Sequence, residues 1–246
     1  MYSNLEVLAG DVVKIGNLKI KHPKLKDVKK IGESMYSEFI RTFCFQPFDV
    51  VESLYKQNID YEEISNYQLF NMFFPFRYYE DENFRDIFCL FFDIDDVLVP
   101  LEEDGVVKYF IITDDKKTVI IEESNFEEIQ SVLKMITGFS NRKVEKFKDD
   151  LIKEMYIEDL IETEELAKNS KNNNSVITMA DLVGAVILDT SYTYETVWDM
   201  YLYQFHSCTR MILKREDYRN TMTGIYTGNL DPKKVNMEKI YWLSKN

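Results

Sequence analysis

Asp93 and Asp95 stand one residue apart in the string CLFFDIDDVLV (89–99), between two apolar runs. Carboxylates at that spacing could divide the work of phosphoryl transfer. One would attack as nucleophile, the other would act as acid and base, and a metal ion would neutralise the phosphate. Such a site also needs a hydroxyl and a cation from later in the chain. Thr113 ends the apolar run YFIIT (109–113), and Lys116 follows it.

This local pattern resembles the opening motif of haloacid-dehalogenase phosphatases, a hydrophobic strand followed by Asp-x-Asp and Gly. The resemblance implies a metal-dependent phosphatase that uses Asp93 and Asp95. The surrounding chain argues against it. Residue 96 is Asp where the motif has Gly, and Pro100, an acidic turn and Gly105 follow at once. A crossover to a parallel strand needs about a dozen residues or more. Downstream, KFKDD (146–150) is charged and helical in character and does not form a strand ending in paired Asp. Asp93, Asp95 and Asp96 are therefore read as polar punctuation between a buried segment and a hairpin. No catalytic residue, metal site or cofactor is assigned.

Other chemical constellations are weaker. No GxxxxGK[ST], GxGxxG or GxSxG segment is present, so no phosphate cradle or nucleophile elbow is expected. Cys44, Cys89 and Cys208 sit among apolar neighbours and read as buried free thiols. With only His22 and His206 and no CxxC pair, a zinc site of ordinary spacing cannot be assembled. His22, before Pro23, is expected to be exposed. His206 lies on an aromatic helix face, and Cys208 two residues on diverges from it.

Composition narrows the class. Hydrophobic residues make up 45% and charged residues 30%, so a packed core is expected. The chain has 17 Phe and 16 Tyr but only 8 Gly and 5 Pro, which favours long regular elements over a turn-rich β design. A formal charge of −13, with no basic stripe, disfavours nucleic acid and anionic membranes as partners. No signal peptide and no apolar stretch of membrane-spanning length are evident, so a soluble, cytoplasmic protein is expected.

The elements follow from periodicity. Residues 4–21 alternate apolar and polar around Gly10-Asp11 and Gly16-Asn17, which predicts hairpins or a small three-stranded meander. Val28, Ile31, Met35 and Phe39 predict a helix with a weak point at Gly32, and FDVVESLYKQ (48–57) a second. Ser65 or Asn66 should cap a third, interrupted by Pro75, and a further helix should begin near Asn83. Residues 105–122 predict a hairpin, and Ser124 with Glu127 has capping-box spacing. A charged helix over 141–168 should carry the stripe Val144, Phe147, Leu151, Met155 and Ile161. After the polar linker NSKNNNS (169–175), Thr178 with Asp181 opens a short helix. A longer helix with Trp198, Tyr201 or Leu202, Phe205, Cys208 and Ile212 on one face follows, with turns at Thr223-Gly224 and Gly228-Asn229.

The expectation is an α+β chain, mainly helical, with a small N-terminal antiparallel β-meander and one additional hairpin near 105–122. It divides into an N-terminal α+β module (1–168) and a C-terminal helical module (176–246). In YQLFNMFFPFRYY (67–79) apolar side chains fall on nearly every face of a helix. Phe70, Phe73, Phe74, Phe76 and Tyr78 are the candidate partner-binding residues, against the alternative of a central buried helix.

Two stretches carry a further resemblance. IGNLKIKHPKLKDVKKIGESMY (15–36) with QNIDYEEISNYQLF (57–70), and YETVWDMYLYQFHSCTRMILKREDYRNTMTGIYTGNLDPKKVNMEKIYWL (194–243), resemble proteins of phages and prophages of Gram-positive hosts. Those are regarded as tail assembly chaperones or tail-associated proteins. The resemblance implies a non-enzymatic chaperone in the bacterial cytoplasm. Its partner would be the tape measure protein, with the tail tube protein as a further contact. The matching strings are packing and turn motifs and carry no catalytic residues. The alternative in the same setting is a structural virion component of tail or neck, and a homo-oligomer is left open.

Overall fold

The computed structural model describes residues 4–94, 96–113, 116–145, 147, 149–169 and 177–243. The fold is α+β and mainly helical, with a two-stranded antiparallel sheet near the N-terminus and a three-stranded antiparallel sheet in the middle of the chain.

The N-terminal segment NLEVLA forms α1 (Asn4–Ala9) where alternation predicted a strand. Leu, Glu and Ala are strong helix formers, and one Val does not outweigh them. β1 (Val13–Ile15) and β2 (Leu18–Ile20) then pair around Gly16-Asn17, with Val13, Ile15, Leu18 and Ile20 facing the core. The expected meander is thus a single hairpin. Gly10, at φ 83°, lies under the Tyr201 ring, and a Cβ there would stand 2.5 Å from Tyr201 Cε2.

Gly32, at φ 103°, splits the next predicted helix into α2 (Leu25–Ile31) and α3 (Glu33–Cys44). A short 3-10 turn (Pro47–Val50) leads into α4 (Val51–Tyr55). Ser65 caps α5 (Asn66–Glu80): its hydroxyl accepts from the Gln68 N–H, and the Gln68 side chain accepts from the Ser65 N–H. Pro75 does not interrupt α5. A helix-interior proline costs about 3 kcal/mol, and burial of Phe70, Phe74 and Tyr78 on either side of it offsets that cost. Asp81 turns the chain into α6 (Glu82–Phe91) by accepting from the Asn83 and Phe84 N–H groups.

The predicted hairpin is β4 (Val106–Thr113) with β5 (Lys116–Ile121). A third strand, β3 (Val99–Glu103), joins it through the Asp104-Gly105 turn, where both residues have positive φ. Pro100 is tolerated because β3 is an edge strand. α7 (Glu123–Thr137) is capped two residues before the predicted position, with Glu122 and Asn125 forming the capping box and Ser124 donating to Glu122. It ends at left-handed Gly138.

α8 (Asp150–Asn169) begins later than predicted and buries a different face. Ile157 is buried, with Tyr156, Leu160 and Ile161 beside it, whereas Val144, Leu151 and Met155 are exposed. Phe147 and Ile161, also on the predicted stripe, do pack. Most of the expected linker, 170–175, lies outside the described residues. α9 (Met179–Asp189) carries the predicted Thr178–Asp181 capping box. α10 (Leu202–Tyr226) runs through Thr223-Gly224, where a turn was expected; the second expected turn, at Gly228-Asn229, is present, with Gly228 at φ 78°. Leu230 folds back onto Gly224 and occupies the space a Cβ would need. A 3-10 turn (Pro232–Lys234) and α11 (Met237–Ile240) follow.

One aromatic-rich core unites both expected modules, running from Val7 through Phe39, Phe43, Phe74 and Phe88 to Val186, Leu202 and Phe205. Backbone bonds stitch them together: Leu25 donates to Met200 (3.0 Å), and Leu202 donates to Pro23 (2.9 Å). A smaller cluster of Phe48, Val51, Leu54, Tyr61 and Ile157 holds α8 against α4. Among the described residues, no helix is long and apolar enough to cross a membrane.

Candidate partner-binding surfaces

Asp93 follows a helix, α6, where the phosphatase motif requires a strand. Its backbone N–H bonds to Lys19, and its half-exposed carboxylate pairs with Lys19 (3.2 Å) and Lys21 (3.9 Å). Asp95 lies outside the described residues, and Asp96 is exposed. Thr113 pairs with Lys116 at the tip of an antiparallel hairpin. Among the described residues, no group of three or more His, Cys, Asp or Glu could hold a metal ion.

The other reactive residue types sit in packing roles. Cys44 is buried, and burial pushes its thiol up to about 12. Cys208 is partly buried and also raised by burial, whereas Cys89 is exposed, contrary to expectation. His22, expected at the surface, is buried; burial lowers its pKa, opposed by the backbone and charge of Asp11. His206 packs on Gly138 and meets the Tyr36 hydroxyl at 3.3 Å. Burial drives its pKa down to about 4, with Arg210 adding to the effect.

The five candidate aromatics do not share one surface. Phe70, Phe74 and Tyr78 are buried, with Phe74 packed against Phe43, Phe70, Tyr78 and Tyr109. Spacing of four residues places them on one face of α5, and the three-stranded sheet with α3, α6 and α7 covers that face. Phe73 is half-buried and Phe76 is 67% exposed. Met72 and Tyr79, which the sequence reading did not select, join them on the outer face. Phe73 also lines a groove of about 650 Å³ with Phe45, Phe139, Arg41, Arg77 and Arg142. Glu38 pairs with Arg41 and Arg77, and Glu52 with Arg142, so the groove is polar-rimmed without a large net charge.

Two further apolar faces are exposed. On α8, Leu151, Ile152, Met155 and Leu166 are 54–64% exposed, opposite the buried Ile157. At the C-terminus, Tyr226, Leu230, Met237, Tyr241 and Leu243 are exposed along α10 and the segment after it. The Tyr218 and Tyr241 rings meet edge to face at 5.9 Å beside Met237.

The C-terminal helices also carry a family match. Residues 168–246 match the YomV second domain. The match suggests a phage-derived protein family and spans about a third of the chain. No curated protein and no solved structure matches the chain.

Proposed function

We propose that this chain is a phage tail assembly chaperone that acts by protein–protein contact and binds the tape measure protein during tail morphogenesis. The phage setting draws support from the match of residues 168–246 to the YomV second domain. The observation that carries the binding role is the outer face of α5. Met72, Phe76 and Tyr79 stand exposed beside Phe73, on a helix whose other face is the centre of the core. A rigid helix presenting aromatic and Met side chains next to an aromatic groove suits the apolar stripe of a partner helix. The net charge of −13 limits nonspecific self-association while the client is held.

The test is capture of tape measure fragments by the purified chain, with Phe76→Ser as the surface variant. The proposal expects capture by the wild type and at least about tenfold weaker capture by the variant, a loss of about 1.4 kcal/mol. Failure of the wild type to bind any fragment sinks the reading. Retention of the chain in purified virions would make it a structural tail or neck component instead.

A further inference from the structure

The exposed faces of α8 and of the C-terminal segment are opposite in charge. α8 contains seven Asp or Glu against two Lys. Leu151, Met155, Glu162 and Leu166 fall on one face at helical spacing, with Ile152 and Asp159 alongside. All six are exposed, so the surface is an apolar ridge edged by carboxylates. The buried side of the same helix already rests on α4 through Ile157, and among the described residues the ridge stays exposed. Lys153 cannot offset the acidic edge, because it is bound to Asp60 and Glu62 beneath Tyr61.

Residues 210–246 hold eight Lys or Arg against four Asp or Glu, in a chain whose formal charge is −13; Arg215 is bound to Asp189 and Arg219 to Glu216, so the excess rests on the other six. This arm comprises the outer part of α10, the 3-10 turn and α11. It has a cleft of about 450 Å³ lined by Tyr218, Met237, Glu238 and Tyr241, and Lys233 and Lys234 are exposed in the turn that precedes α11. Leu230, seated on Gly224, locks the returning segment against α10, so the cleft is preformed.

We propose that the acidic ridge of α8 in one copy receives the basic C-terminal arm of a second copy. Two α8 ridges would repel each other, as would two arms, so charge selects the unlike pairing. The contact is heterologous: each joined pair keeps one free ridge and one free arm, and association closes into a ring or extends. The inference does not rest on the tape measure reading, and the experiment below uses this chain alone.

The test is sedimentation or light scattering of the purified full chain over a wide range of concentration, at low and high salt. The ridge variant is Asp159→Lys with Glu162→Lys, and the arm variant is Lys233→Glu with Lys234→Glu. All four positions are exposed, and far-UV circular dichroism checks that both variants fold. The wild type should associate, more weakly at high salt. Each variant alone should be monomeric. An equimolar mixture should associate, because one variant keeps an intact arm and the other an intact ridge. A wild type that stays monomeric throughout, variants that associate like the wild type, or a mixture that stays monomeric would each overturn the proposal. The first of these results leaves both faces to a different protein.

Discussion

At the scale of single residues, neighbours of the same type take opposite roles. Phe74 has no exposed surface and touches several rings, whereas Phe76, two residues on, is largely in water. Phe74→Ala should cost about 3–5 kcal/mol of stability through lost burial and a residual cavity. Phe76→Ala should stay within about 0.5 kcal/mol. Denaturant titration of the two variants checks this, and equal losses would contradict the placement of α5. His206 offers a pH readout. Its folded pKa of about 4 lies below the ordinary 6.5, so the folded chain binds fewer protons between those values. The stability it contributes is full above 6.5 and is lost as pH falls toward 4. His206→Gln keeps an acceptor for Tyr36 and should flatten that part of the stability profile, measured as midpoint against pH.

At the scale of elements, the predictable features were those set by local chemistry. The Ser65–Gln68 and Thr178–Asp181 boxes, the break at Gly32 and the 105–122 hairpin depend on a few adjacent residues. The departures came where packing outweighed local preference. Pro75 sits inside a helix because the rings around it are buried together. The α8 stripe moved because two sets of apolar residues compete for burial, and α4 lies over Ile157 and not over Met155. Glycine substitutions separate local strain from packing. Gly16 and Gly138 both have positive φ, but only at Gly138 would a Cβ collide, 2.8 Å from His206 Cβ. Each change to Ala should cost about 1–2 kcal/mol in backbone strain. Gly138→Ala should lower the thermal midpoint further, because His206 must move. Equal midpoints would show that the contact is slack.

At the scale of the whole molecule, the two expected modules share their core. Val183, Val186, Val197, Leu202 and Phe205 belong to the same cluster as Phe39 and Phe43, and Pro23 and Leu25 bond across to Leu202 and Met200. Residues 168–246 expressed alone should therefore lack a cooperative thermal transition and bind a hydrophobic dye. A sharp transition with native helix content would show that the YomV-like unit folds independently.

From the sequence alone came the helical α+β class, the caps at Ser65 and Thr178, the middle hairpin, the acidic charge and the doubt over Asp93 and Asp95. Each of these depends on composition or on residues close in the chain. The sequence could not decide which side of α5 faces water, because its apolar residues occupy nearly every face and periodicity has no preferred direction there. Tertiary structure decided that. It buried Phe70, Phe74 and Tyr78 in the core and left Phe76 outside with Met72 and Tyr79. It likewise buried one apolar face of α8 on α4 and, among the described residues, left the other exposed, since a helix held on one side has its other side turned to solvent.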